Sequence, residues 1–270
     1  MKIPINIFLI ISLGILIISC KNASDRLSQQ DDSELENISQ QAFLIGNGPN
    51  SKKTIKDMIE KSGIRKGGYV VILPMTQNKQ DSSAWFLQQE FYDQQIIAVH
   101  ILYLLSDSSL KNTDILAIEN AGIICLIDGN RNKFIKLAES TRLKVALQNA
   151  YIKGALITGI AKGASVLGEY YYNQVKDTIS NNKKVKFKPG LGLLKNTVID
   201  DIGFFRNYQD GIQKNSAKKK FMFIGIGSKS AVWIKNENAV VLRKSEVGLI
   251  SPEKAISKIG KGDEFELLKQ

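Results

Sequence analysis

Five short, almost uninterrupted apolar runs constrain the fold of this chain more than any other feature of its sequence. A run without polar alternation is typical of a parallel strand that is covered on both faces. Residues at helical spacing follow the first run, with Ile55, Met58 and Ile59 placed before a terminating Gly63. The sequence therefore predicts strands alternating with helices. The runs span residues 42–46, 69–73, 96–104, 122–127 and 155–159.

The remaining apolar patterns predict helices and, near the carboxyl terminus, hairpins. Phe134, Leu137 and Ala138 share one helical face, and residues 143–150 repeat the pattern. Residues 221–226, 231–235 and 239–243 are short strands divided by turn residues, which predicts antiparallel hairpins at a sheet edge. We expect an α/β fold, a three-layer sandwich with a central, mostly parallel sheet.

The amino terminus is typical of an exported lipoprotein. Lys2 precedes an apolar stretch that is too short for a comfortable bilayer span, and residues 17–20 (IISC) resemble a bacterial lipobox. We predict a signal peptide over residues 1–19, an acylated Cys20, and a flexible polar tether to residue 41. The alternative is a plain signal peptide with an incidental cysteine. The residue after Cys20 is Lys21 and not aspartate, which favours the outer membrane within the bacterial cell envelope.

The folded body, predicted over residues 42–270, is basic. The chain has 37 Lys and Arg against 26 Asp and Glu, a net charge of +11, whereas its first 41 residues hold more acidic than basic side chains. Lysine clusters at 183–188 and 218–220 favour anionic lipid headgroups or an acidic ligand, or are simply solvated. An exported chain rarely meets nucleic acid, so we expect no nucleic-acid partner. No protein partner is indicated.

The scarcity of His and Cys limits the chemistry that this chain can perform. It has one His and two Cys, which leaves no spacing suited to zinc and little material for a His-based centre. Scattered Asp and Glu form no recognisable calcium or magnesium loop. We therefore expect neither a metal site nor a cofactor.

Residues 159–165 (GIAKGAS) have the layout of a nucleophile elbow. A strand runs into a tight turn between two glycines, and helix-compatible sequence follows. The position of the nucleophile is occupied by Ala161, which carries neither a hydroxyl nor a thiol. The alternative is an ordinary glycine-bearing turn without catalytic ancestry.

Several motifs in matching order resemble the cyanophycinase family of serine exopeptidases, whose fold is like that of class I glutamine amidotransferases. The elbow falls on the family's G-T-S-A-G-A, and residues 190–194 (GLGLL) fall on its G-L-G-L-L. Weaker matches are residues 46–48 (GNG) to G-G-G, 71–76 (VILPMT) to V-V-I-P-T-A, 198–204 (VIDDIGF) to V-I-V-D-Q-H-F, and 225–231 (GIGSKSA) to G-I-D-E-x-T-A. The resemblance implies an α/β peptidase fold.

The resemblance also implies where a catalytic triad would lie. The nucleophilic serine falls on Ala161, the general-base histidine on Gly203 and the acidic residue on Ser228, so all three groups are lost. The family's G-G-D-Q turn reads Asp128, Gly129, Asn130, Arg131.

No other residue replaces the missing triad in the sequence. His100 lies in the run 96–104, where we expect a satisfied, partly buried imidazole, and Cys125 lies among aliphatic residues, where we expect an inert thiol. Lys162 with Ser165 would form a Ser-Lys arrangement only if the lysine were activated.

These observations predict a lipid-anchored, catalytically inactive relative that acts as a binding or structural module. An active hydrolase with a relocated centre, and an envelope protein that uses its fold without a small ligand, are the alternatives. Residues 128–131 and the elbow at Ala161 and Lys162 should face one another across a remnant pocket. If Arg131 and Lys162 point inward, the pocket would favour an acidic small molecule or an acidic peptide end.

Overall fold

The computed structural model describes residues 39–48, 51–76, 82–104, 110–174, 185–243, 246–253 and 257–269. The predicted signal peptide, Cys20 and the tether as far as residue 38 lie outside these ranges. Within them, no helix has the length and apolar character needed to cross a bilayer.

The described residues form strands and helices in alternation over the first two thirds of the body. The strands are β1 (Gln41–Ile45), β2 (Val70–Met75), β3 (Val99–Ile101), β4 (Ile123–Gly129), β5 (Leu156–Ile160), β6 (Gly168–Gln174), β7 (Val185–Pro189), β8 (Leu194–Asp201), β9 (Met222–Ile226), β10 (Ala231–Lys235), β11 (Asn238–Val241), β12 (Val247–Ile250), β13 (Ser257–Ile259) and β14 (Glu264–Glu266). The helices are α1 (Lys52–Ser62), α2 (Ser83–Asp93), α3 (Asn112–Glu119), α4 (Arg131–Ser140), α5 (Leu143–Ile152), α6 (Lys162–Ser165), α7 (Ile202–Asn207) and α8 (Gln209–Lys219), with a 3-10 turn at Ile64–Lys66.

The larger sheet has eight strands in the order β14-β11-β10-β1-β5-β4-β2-β3. The pairs β1–β5, β5–β4, β4–β2 and β2–β3 are parallel, and the remaining three pairs are antiparallel. Its central strands are the apolar runs of the sequence, because strands buried on both faces need apolar side chains on both.

Helices cover both faces of the larger sheet. Phe43 and Ile45 of β1 pack on one face with Met58 of α1 and Phe91 of α2. Ala42 and Leu44 point to the other face and join a core that includes α4, α5 and the inner face of a second sheet. This arrangement confirms the predicted α/β class with a central, mostly parallel sheet in a layered sandwich.

A second sheet of six strands, in the order β13-β12-β9-β8-β6-β7, was not predicted. Its strands β6 and β8 carry polar residues and interrupted apolar runs, so they lack the signal that identified the larger sheet. The prediction placed residues 221–226 in an edge hairpin. Instead, β9 pairs parallel with β8 and antiparallel with β12 in this second sheet, whereas β10 and β11 form the expected hairpin.

The third predicted strand, residues 96–104, is wrong in length and in its environment. Only Val99–Ile101 pairs with β2, and it forms the edge of the sheet. His100 is therefore exposed rather than partly buried, with its ring edge-on to Tyr69 at 5.5 Å between centroids. Strand β3 has a neighbouring strand on one side only, so some of its side chains are exposed. The apolar sequence of residues 96–104 did not distinguish an edge strand from a central one.

Candidate functional site

The predicted elbow is a sharp turn between β5 and α6. Ala161 has φ 53° and ψ −119°, a conformation that residues with a Cβ rarely adopt. The flanking glycines allow it, because a Cβ on Gly159 would lie 2.3 Å from the Cα of Ala164, and one on Gly163 would lie 1.9 Å from the carbonyl oxygen of Leu126. The elbow geometry thus persists without a nucleophile.

The helix after the elbow is shorter than the sequence suggested. Helix α6 makes a single turn, Lys162–Ser165, and β6 begins at Gly168. Ser165 ends this turn and is buried. Its hydroxyl donates to the carbonyl oxygen of Lys162 at 2.8 Å and accepts from Arg131 Nη1 at 3.2 Å. The hydroxyl proton is therefore directed at the backbone and not at a general base.

A cleft of about 170 Å³ opens at the elbow, where the carboxyl ends of strands from both sheets converge. Strands β1, β4, β8 and β9 each supply residues from their carboxyl ends, and the turn that follows β5 supplies Ala161. The lining consists of Ile45, Gly46, Asn47, Asp128, Arg131, Ala161, Lys162, Ala164, Ile199, Asp200, Asp201 and Ile226. The structure thus brings Asp128, Arg131, Ala161 and Lys162 of the predicted pocket together.

The other two residues of the predicted pocket, Gly129 and Asn130, are not among the residues that line the cleft. Gly129 has φ 155°, and a Cβ there would lie 2.1 Å from the carbonyl oxygen of Met75. The close approach of strand β2 therefore requires a glycine at position 129. The side chain of Asn130 accepts a hydrogen bond from the backbone N–H of Lys133 at 3.0 Å and caps α4. This turn therefore places Arg131 at the first position of α4, beside the cleft.

Arg131 points into the cleft but is already paired. Its Nη1 lies 2.9 Å from Oδ2 of Asp200, and the two side chains are only 19% and 17% exposed. Burial raises the pKa of Asp200, and the nearby Arg131 guanidinium opposes this rise. The guanidinium also lies 5.7 Å from the centre of the Tyr171 ring. The pair therefore neutralises the deeper part of the cleft.

Lys162 is the second cation of the cleft. Its Nζ lies 3.6 Å from Oδ1 of Asp128, and both side chains are more than half exposed. An exposed ion pair of this kind contributes about 0–1 kcal/mol, because water screens both charges. Lys162 is thus available to an incoming anion at a small cost, unlike Arg131.

The other two triad positions contain no catalytic group. Gly203 lies in the first turn of α7, where its N–H donates to Oδ1 of Asp201 at 2.6 Å, so Asp201 caps this helix. Ser228 lies in the exposed turn between β9 and β10, and its carbonyl oxygen approaches Gly48. Asp201 and Ile226, each two residues before these positions, line the cleft.

Cys125 and His100, two of the residues considered as substitutes, lie away from the cleft lining. Cys125 is fully buried in β4, and burial raises the pKa of its thiol, which opposes thiolate formation. His100 lies on the edge strand β3. Among the described residues that line the cleft there is no Ser, Thr, Cys or His, and the described part of the chain contains no cluster of His, Cys, Asp and Glu able to hold a metal ion.

Asp200 is the site residue that sequence reasoning did not identify. It replaces an apolar residue of the V-I-V-D-Q-H-F motif, next to the aspartate that the motif retains. A carboxylate introduced into a strand requires a cation, and Arg131 replaces the glutamine of the G-G-D-Q turn. These two departures, taken together, are the signal that would have predicted the pair.

A sharp strand-to-helix turn above a mostly parallel sheet, with a cleft at the carboxyl ends of the strands, places the chain among layered α/β proteins that carry an elbow turn. The chain belongs to Peptidase family S51, whose family model matches residues 42–242. No curated protein gives a significant sequence match.

Two solved structures share the fold. A peptidase from an acI-B1 actinobacterium is similar with a TM-score of 0.63 and 17% identity, over 85% of this chain and 97% of that one. A Listeria monocytogenes EGD-e protein assigned as a peptidase E has a TM-score of 0.52 and 14% identity, over 77% of this chain and all of that one. At these identities the similarity establishes the fold alone.

Proposed function

We propose that this chain is a catalytically inactive member of Peptidase family S51 that binds ligands in the cleft without hydrolysing them. The observation that carries the proposal is Ala161, a residue without a nucleophilic group held at the strained position where an elbow presents its nucleophile. Covalent attack of the serine-peptidase type needs a hydroxyl or a thiol of the protein and a base to accept its proton. The described lining of the cleft offers no hydroxyl and no thiol, and its carboxylates Asp128, Asp200 and Asp201 are already paired with Lys162, Arg131 and the N–H of Gly203.

An acidic small molecule or an acidic peptide end is the proposed ligand. Lys162 supports this choice, because its partner Asp128 is exposed and an anionic ligand can replace that carboxylate. Asp200 holds Arg131 at 2.9 Å, so Arg131 contributes to the shape of the cleft rather than to anion affinity.

Titration with a β-aspartyl dipeptide tests this function. We expect backbone NMR signals of Gly129, Ala161 and Lys162 to shift at millimolar ligand, and we expect no product. Lys162→Met should weaken binding about fivefold or more, since it removes the cation that the ligand would meet. Lys153→Met removes an exposed lysine of similar charge outside the cleft lining and should leave binding unchanged.

Product formation would contradict the inactive assignment. If turnover is abolished by Ser165→Ala or Cys125→Ala, the chain is instead a hydrolase with a relocated centre. If no dipeptide binds and no signal moves, the cleft is not a ligand site and the fold itself is the functional unit.

We also propose that the body is held at the bacterial envelope by a lipid on Cys20, and that the membrane concerned is the outer membrane. The apolar leader followed by the IISC motif supports this location. Mass spectrometry of the mature protein should find an acylated Cys20 as its first residue, and Cys20→Ala should release or mislocalise the chain. An unmodified Cys20, or a mature terminus elsewhere, would contradict the anchor.

A further inference from the structure

Among the described strands, one edge of the smaller sheet carries a dense group of lysines. Strand β7 forms this edge and presents Lys186 and Lys188 to solvent. Helix α8 ends with Lys218 and Lys219, followed by Lys220, and all three are exposed. We call these five residues the lysine edge.

Aromatic packing brings the two lysine runs together. Phe187, between Lys186 and Lys188, packs on Phe221 with 5.0 Å between ring centroids, and Phe221 directly follows Lys220. Phe221 also contacts Tyr170, with 6.4 Å between ring centroids. Lys186 and Lys188 alternate with Phe187 along β7, so they point to the opposite face of the strand, toward Tyr171 and Asn132. The two lysine runs therefore flank the same edge of the sheet from its two faces.

The lysine edge is not neutralised by the described part of the protein. Lys219 Nζ lies 5.0 Å from the centre of the Tyr170 ring, and Lys188 Nζ contacts the amide oxygen of Asn132 at 3.4 Å. The ion pairs between described residues involve other cations, including Lys52, Arg131, Lys162 and Arg206. Five positive charges without an ion-pair partner among the described residues repel one another, and a surface of negative charge would relieve that repulsion.

We infer that the lysine edge binds a phosphate-bearing anionic lipid surface. The inference rests on the proposed envelope location, which places the body within reach of a bilayer. Twenty residues separate Cys20 from Gln41, and a chain of that length spans at most about 70 Å. Several lysines on one rim suit a plane of headgroups better than a single small anion, because each lysine can meet a different phosphate.

Vesicle binding by the non-acylated chain tests the inference separately from the lipid anchor. The protein is the whole chain from Lys21 onward, so no acyl chain contributes. Vesicles of phosphatidylglycerol and phosphatidylcholine should bind it, vesicles of phosphatidylcholine alone should not, and binding should weaken as salt rises. The triple variant Lys218→Gln, Lys219→Gln, Lys220→Gln should lower the affinity about 100-fold, since each lysine near an anionic surface contributes roughly a factor of five.

A matched variant on α1 controls for net charge. Lys52→Gln, Lys53→Gln and Lys56→Gln remove the same charge from exposed lysines, two of which already face carboxylates. This variant should stay within about threefold of the parent chain. Equal losses in both triple variants would assign binding to net charge and overturn the inference. Lys186→Gln with Lys188→Gln provides a second test on a different element and should also lose affinity.

Two further outcomes are decisive. If inorganic phosphate at millimolar concentration binds the parent chain and blocks the vesicles, the lysine edge is a site for a soluble phosphate and not a lipid surface. If the chain does not bind anionic vesicles, the inference is wrong even when mass spectrometry finds an acylated Cys20.

Discussion

Replacing Gly163 with alanine is expected to unfold the protein or to lower its free energy of unfolding by more than about 4 kcal/mol. The added Cβ would lie 1.9 Å from the carbonyl oxygen of Leu126 and 2.6 Å from its carbon, and both atoms belong to the backbone of β4. No side-chain rotation relieves such a clash, so α6 would have to leave the sheet. A domain stabilised by about 5–15 kcal/mol has little reserve for this.

Urea denaturation, or the yield of soluble protein if the variant does not fold, measures the effect. Gly260→Ala is the matched control, because a Cβ there has no atom within 4 Å and its backbone is not left-handed. The control should change the free energy of unfolding by less than about 0.5 kcal/mol. Similar midpoints for the two variants would mean that α6 does not approach β4 as closely as the structure describes.

Replacing Arg131 with methionine is expected to destabilise the protein by about 3 kcal/mol at pH 8. The change leaves Asp200 ionised in a largely buried position without its partner. Burial already raises the pKa of Asp200, and the loss of Arg131 removes the attraction that opposes this rise. The pKa of Asp200 should therefore rise further in the variant.

The direction of the pH dependence follows from this rise. Between the ordinary pKa of an aspartate and the raised value, the folded state keeps a proton that the unfolded state has released. Stability relative to the parent is therefore lost as pH rises through that window and regained as pH falls through it. Urea denaturation at pH 5 and pH 8 should show the smaller deficit at pH 5.

A double variant separates charge from packing. Arg131→Met with Asp200→Leu removes both charges, so it should recover much of the stability at pH 8 and lose the added pH dependence. An equal deficit at both pH values, without recovery in the double variant, would assign the effect to lost contact between Arg131 and the Tyr171 ring.

The sequence allowed the larger sheet to be predicted because its central strands are buried on both faces. Such strands need apolar residues throughout, and Ile123–Gly129 begins with that pattern. The smaller sheet has no equivalent signal, since β6 (GEYYYNQ) and β8 (LKNTVIDD) alternate between a core face and polar surroundings. The prediction made the edge strand β3 too long, because a short apolar run does not show whether its strand lies at the edge or in the centre of a sheet.

The candidate site likewise has a part that the sequence predicts and a part that it does not. The elbow at Ala161 was predictable, because glycines on either side of a strand end require a tight turn. The ion pair between Arg131 and Asp200 joins residues 69 positions apart, so no local pattern contains it. The exposed pair of Lys162 with Asp128 lies at the ends of the neighbouring strands β5 and β4, where the predicted pocket brings these two residues together. Only the meeting of strands from two sheets places Arg131 and Asp200 together.

The close approach of α6 to β4 has a consequence for how relatives of this chain are recognised from sequence. Gly159 and Gly163 are required by packing against Ala164 and Leu126, whatever residue lies between them. A lineage that discards hydrolysis can therefore replace the central serine freely, whereas selection for a stable fold keeps both glycines. The two glycines indicate the ancestry and the fold of the chain, and only residue 161 indicates whether the elbow carries a nucleophile. Searches that score the whole motif will group working peptidases with proteins that have lost the reaction.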